Sequence, residues 1–254
     1  MINKKYLIPY DVLVDENGPR SGAVTFISRL KELGIPYVII TEHSAKRRER
    51  MAELMGQIGF DTIDPRRIYT SVMAAVDYAA MRMPDKTRIM CMGGSGLRNT
   101  LQEVHFEVSR TAPDILFVGM NTNLTYQDYC DALNALHKGA LLFSTDDRRI
   151  QYHHGDLDIG NGAVIKMLEY ASGVKAIHFG MGSEELLRMA IRYMSFAPED
   201  AVVVGMDIER DILPAKNVGI ETIYVSLGRD LEESGITQIN YPTYFVEDLY
   251  GLSK

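Results

Sequence analysis

The chain has 254 residues, 46% of them hydrophobic and 24% charged, a balance that can bury a sizeable core as one large domain or two modest ones. A formal charge of −7 argues against a dominant nucleic-acid face, and no apolar run approaches the ~20 residues of a membrane span. The two cysteines, Cys91 and Cys130, exclude a disulfide framework, and Pro9 and Asp11 interrupt the first apolar run too soon for a signal peptide, so a soluble cytoplasmic protein is expected.

In chain order, β-rich runs alternate with amphipathic segments. KYLI predicts a strand climbing to Pro9, and SGAVTFISRLKELG predicts a helix. Val24, Ile27, Leu30 and Leu33 recur there at helical spacing, with Gly34 as C-cap. PYVIIT predicts a buried strand and SAKRRERMAELMGQIG a helix, its AKRRER run a solvated face. TRIMCMG, DILFVGM and ALLFST predict further strands, separated by helices over LRNTLQEV and YQDYCDALNALHKG. AIHFG, SEELLRMAIRYM, AVVVGM, DILPAKNVG and ETIYVSLG continue the alternation. The order implies right-handed βαβ units, parallel sheets and an α/β fold, with one unit inserted into another. Ligands of such sheets bind beyond the carboxyl ends of the strands.

Thr41 ends PYVIIT with a hydroxyl placed either to hold a phosphate or, with Ser44, to cap the next helix. In GGSG, residues 93–96, Asn99 stands where a dinucleotide fingerprint needs its third glycine, which favours a tight structural turn. His153 and His154 in YHHGDLD invite a metal reading, but adjacent side chains on an extended segment diverge, so a polar loop is expected. Asp207 and Asp211 in VVVGMDIERDIL follow a buried strand. They either present hard oxygens to Mg²⁺ or serve as a helix cap and an exposed acid.

Several segments together resemble the haloacid dehalogenase (HAD) superfamily, in its NagD-like, p-nitrophenyl-phosphatase-type branch. GAVTFISRLKELGIPYVIITEHS is similar to that branch's segment ending in T-N-N-S, and IYTSVMAAVDY to its approach to the cap. DILFVGMNTNLTYQDYCDALNALHKGALLFSTDD resembles the cap pattern ending in A-T-N-x-D. IHFGMGS resembles the G-K-P-S region, and VVVGMDIERDILPAKNVGIETIYVSLG the metal loop together with the segment C-terminal to it. The resemblance implies a Rossmann-like HAD core from residues 1–77 and 177–254 and an inserted α/β cap from residues 78–176. It also implies Mg²⁺-dependent phosphatase chemistry through an aspartyl-phosphate, and cap-mediated homodimers as an option.

Carried over position by position, Asp11 is the retained acid/base, Thr41 the phosphate-binding hydroxyl and Asp211 the second acid of the metal loop. Glu42, His43, Ser44 and Gly180 fall at phosphate- or ligand-binding positions, and Thr145, Asp146 and Asp147 on the cap side. The departures concern the chemistry itself. Pro9 occupies the nucleophile position, Met181 that of the lysine, and Met206 that of the first metal aspartate. Proline has no oxygen for attack or ligation. Using Asp15 of DENG as nucleophile sets it too close to Gly22, with Asn17 at the second acid; using Asp11 puts Leu13 at the acid position. Mg²⁺ is therefore the family's cofactor but a poor match to these residues. The expectation is a homologue that has lost phosphatase chemistry and binds a small molecule under the cap or a protein partner. The rival is an Mg²⁺-dependent hydrolase of small phosphorylated metabolites built on Asp11, Asp207 and Asp211. With two methionines in the pocket and Glu42 adding negative charge, a neutral or cationic ligand is favoured over a phosphate ester.

Overall fold

A computed structural model of the chain describes residues 4–43, 47–104, 106–153, 156–229 and 235–253. The first strands and helices are β1 (Lys5–Pro9), α1 (Tyr10–Leu13), β2 (Val14–Asp15), β3 (Gly18–Pro19), α2 (Ala23–Glu32), β4 (Tyr37–Thr41), α3 (Arg48–Gln57), β5 (Ile68–Thr70) and α4 (Ser71–Arg82). The middle of the chain forms β6 (Arg88–Met92), α5 (Ser95–Gln102), β7 (Glu107–Val108), β8 (Ile115–Val118), α6 (Tyr126–His137), β9 (Leu141–Ser144), β10 (Ile150–His153), β11 (Asp156–Ile159), α7 (Asn161–Ser172) and β12 (Ala176–His178). The remainder forms α8 (Glu184–Tyr193), β13 (Ala201–Gly205), α9 (Leu213–Asn217), β14 (Glu221–Val225) and β15 (Tyr244–Val246). No helix among the described residues is long and apolar enough to cross a membrane.

The chain divides into two compact units. The first takes Met1–Thr41, Arg48–Tyr69 and Gly182–Lys254, and the second takes Glu42–Arg47 and Thr70–Met181. Boundaries at 78 and 177 would instead cut through α4 and β12.

The first unit is a sheet of order β15-β14-β13-β1-β4-β5, in which β1 pairs in parallel with both β13 and β4. Strand β1 is therefore the point where the chain order reverses, and its carboxyl end opens the crevice where α/β sheets hold ligands. Helix α2 buries Ala23, Phe26, Ile27 and Leu30, while Val24 is half-buried and Leu33 is 48% exposed. The expected stripe is thus rotated toward Phe26, which packs edge-on against Tyr6 at 5.7 Å. Gly34 at φ +65° ends the helix: its N–H donates to Lys31 O and that of Ile35 to Leu30 O, a Schellman pair. Gly22 opens α2 at φ +79°, where a Cβ would lie 2.5 Å from the backbone nitrogen of Tyr250. Gly22→Ala should cost about 2 kcal/mol or more, from left-handed strain plus a clash that backbone cannot avoid. Urea unfolding of the variant beside wild type checks it.

The second unit is a sheet of order β12-β9-β8-β6-β7, with every neighbouring pair parallel. Helix α6 starts with a capping box, Thr125 and Asp128 each bonding the other's backbone N–H. Phe143 anchors an aromatic cluster, 5.2 Å from Phe117 and 5.1 Å from Phe179 between ring centroids. The segment expected as a polar loop is an antiparallel hairpin, with Ile150 opposite Ile159 and His153 opposite Asp156 in register. Alternation in IQYH and LDI accounts for it, in strands of four residues that are too short to stand out. His154 lies outside the described residues. GGSG is the turn from β6 into α5, as expected, with Gly94 as N-cap.

Candidate active site

In the first unit the candidate residues converge on the carboxyl ends of three neighbouring strands. Pro9 ends β1, Thr41 ends β4, and Met206 and Asp207 follow β13. Pro9 is buried, registers with Ile40, and at φ −53° leads straight into the turn of α1. Asp11 lies inside that helical turn rather than in a loop, half-buried, and its carbonyl accepts from Arg20 Nε at 2.8 Å. Asp15 belongs to the hairpin β2–β3, where it bonds the Asn17 N–H at 2.8 Å and pairs with Arg20 at 3.1 Å. Its carboxylate is committed there, which removes the structural basis for using it as nucleophile. Thr41 is buried, and α3 begins only at Arg48, so Thr41 does not cap that helix. Ser44 lies outside the described residues.

In the loop after β13 one aspartate is a cap, as its sequence position allowed, and the other departs from the expected exposed acid. Asp207 Oδ1 accepts the N–H groups of Glu209 and Arg210, both at 2.9 Å, as the cap of the turn Ile208–Ile212. Asp211 is not exposed but 5% accessible, and its Oδ2 accepts from Met206 N at 2.9 Å and Asp207 N at 3.1 Å. Burial pushes its carboxyl up to about 7, against the lowering effect of those two N–H groups. A Cβ at Gly205 would meet Asp211 Cβ at 2.4 Å, so the strand end is shaped around this acid. Arg229 Nη2 donates to Met206 O at 3.0 Å, a contact the sequence did not signal.

Mg²⁺ needs several hard oxygens in near-octahedral order. Pro9 and Met206 supply no side-chain oxygen, Asp207 Oδ1 is engaged as a cap, and Asp211 Oδ2 accepts two backbone N–H groups. No group of three or more His, Cys, Asp or Glu side chains among the described residues is placed to hold a metal. The residues present do not fit Mg²⁺.

The second unit gathers Glu42, Thr145, Asp146, Asp147, Gly180 and Met181 beyond β9 and β12. Glu42, 2% exposed, accepts from Met181 N at 2.9 Å and Asp147 N at 3.3 Å, with Arg148 Nε 3.5 Å from its other oxygen. Arg148 also binds Asp146 through Nε and Nη2. Asp147 accepts Ser144 Oγ at 2.6 Å and Gly180 N at 3.1 Å, and lies 2.7 Å from His178 Nδ1. That bond to Asp147 holds the His178 imidazolium above its usual range, against the effect of burial. Thr145 donates to Val118 O at 3.2 Å and accepts Ser71 Oγ at 2.6 Å through its carbonyl. A Cβ at Gly180 would lie 2.6 Å from Asp147 and 2.8 Å from Glu42, so only glycine lets the backbone approach both carboxylates. His43 is half-buried, and Met181 is 7% exposed. The expected ligand residues thus form a bonded network, and Glu42 is not a bare negative charge. Arg148, His178 and Ser144 complete it; only the position of Arg148 beside TDD hinted at this.

A haloacid dehalogenase-like hydrolase model matches residues 10–107, and a HAD-hydrolase-like model matches residues 179–252. The chain is 30% identical to an acid sugar phosphatase of Staphylococcus saprophyticus, across 99% of this chain and 97% of that one. Its fold is similar to that of NagD from Escherichia coli, at 24% identity and a TM-score of 0.88 over 98% of both chains. It is likewise similar to a glycerol phosphate phosphatase from Mycobacterium tuberculosis in complex with magnesium, at 23% identity and a TM-score of 0.86 over 98% of this chain and 76% of that one. The chain belongs to the haloacid dehalogenase-like hydrolases.

Proposed function

We propose that this chain is a NagD-like HAD homologue that has given up aspartyl-phosphate chemistry and acts by binding. The observation that carries this reading is Pro9. It ends the central strand at the position the family reserves for its nucleophile, and offers no oxygen to phosphorus or to a metal. The methionines at 181 and 206 add the loss of a cation and a metal ligand, so covalent attack, charge neutralisation and coordination fail together. The ligand is a neutral small molecule or a protein partner. Glu42 has its charge compensated by Arg148 and two N–H groups, which weakens the case for a cation. A cytoplasmic protein, with homodimers as an option, is the setting we infer.

The test is a phosphatase screen with Mg²⁺ over sugar phosphates, glycerol phosphate and p-nitrophenyl phosphate, with Asp11→Asn run in parallel. Wild type and variant should be indistinguishable from buffer. Turnover by wild type that Asp11→Asn abolishes would overturn the reading and establish a rearranged hydrolase site instead.

A further inference from the structure

The second unit holds a cavity of about 850 Å³ that the candidate active site does not use. It lies beyond β6 and β8, next to each other in the sheet, while β7 flanks β6 on its other side. The chain leaves β6 through α5 toward β7, then crosses back to β8. The loops after β6 and β8 therefore part company, leaving the type of crevice in which doubly wound sheets hold ligands.

The side chains around this crevice suit an oxyanion. Arg98 and Arg110 both line it. Arg98 Nε donates to Gly93 O at 3.1 Å, which fixes one donor of the five-donor fork at the rim. Arg110 reaches its acidic neighbours Asp128 and Asp131 only at 3.6 and 3.7 Å, with its side chain 69% exposed. Among the described lining residues Asp128 is the one acid, and Thr125 holds its Oδ2 through both N–H and hydroxyl, at 2.9 and 2.8 Å. The described lining residues thus bring two guanidiniums and one carboxylate to the wall, with Asp131 also 3.7 Å from Arg110. Asn123 and Gln102 add neutral donors, and Met90 and Leu101 an apolar floor. Helix α5 enters the same wall behind a glycine N-cap without a side-chain cap bond, so its dipole reinforces the guanidinium field.

We propose that this crevice is a second binding site, for a small organic phosphate. Planar guanidinium forks match phosphate oxygens in pairs, and the floor accepts the organic part. Asn99 in place of the third fingerprint glycine favours a single phosphate group over a dinucleotide. The proposal is independent of whether the first unit catalyses anything.

The experiment is a titration of ¹⁵N-labelled full-length protein with inorganic phosphate at constant ionic strength, followed by amide shifts. Saturable shifts at Ser95 to Arg98 are expected, weakened at least tenfold by Arg98→Gln and unchanged by Arg188→Gln, an exposed arginine on α8. Arg110→Gln should weaken them as well. Absence of saturable shifts at those amides, shifts confined to residues around Thr41, or equal affinity in Arg98→Gln would each overturn the site.

Discussion

Glu42→Ala should lower the unfolding free energy by about 3 kcal/mol, the cost of breaking a buried, hydrogen-bonded charge pair from one side. The carboxylate is almost wholly buried and takes two backbone N–H groups, from Met181 and Asp147. Truncation leaves both donors without that acceptor, each at a cost of roughly 1–3 kcal/mol if water does not replace it. Arg148 retains Asp146, so its charge is not stranded, and this sets the expected loss at the lower end of the range. Glu42→Gln keeps an acceptor of the same reach and should lose about half as much. With no tryptophan in the chain, urea unfolding followed by circular dichroism is the suitable readout. A loss under about 1 kcal/mol for Glu42→Ala would show that solvent enters and that the network is dispensable.

Asp211→Asn should flatten the pH dependence of stability between about pH 4 and pH 7, and should make the protein more stable than wild type at pH 8. The Asp211 carboxyl is raised from near 4 to about 7 in the folded chain, because burial penalises its charge more than two N–H groups support it. A raised folded value means that the folded state binds the proton more tightly. The resulting stability is fully present below the unfolded value and is lost as pH rises through the folded one. At 1.36 kcal/mol per unit the change across that window is roughly 3–4 kcal/mol at most. Both N–H groups meet the same oxygen, Oδ2, so the asparagine carbonyl can take its place without ionising. Denaturant midpoints from pH 4 to pH 8 in EDTA check this. A wild-type curve with no decline toward pH 7 would mean that Asp211 ionises freely and is available as a hard ligand after all.

Parts of the molecule were legible before any folding was considered. The strands KYLI, PYVIIT and AVVVGM were plain as short apolar runs, because strands buried on both faces carry no polar alternation to obscure them. Gly34 announced the end of α2, since a left-handed cap selects glycine. The family resemblance carried the order of the site residues, and with it the missing oxygen at Pro9. The α2 face was misplaced because Leu33 keeps helical spacing yet falls past the last turn, and the hairpin over residues 150–159 was missed because its strands are short.

By itself the sequence determined the α/β class, the two-part chain and the residue types at positions 9, 181 and 206, all of which follow from composition and local order. Only the tertiary structure decided what the remaining acids do. Asp207 became a cap, Asp211 a buried anchor for two N–H groups, and Glu42, Asp146 and Asp147 a network closed by Arg148 and His178. A carboxylate written in a sequence has the same formula whether it faces a ligand, a guanidinium or a helix end. Its burial and partners come from chain segments more than a hundred residues apart, as with Glu42 and Met181, and those exist only once the chain has folded.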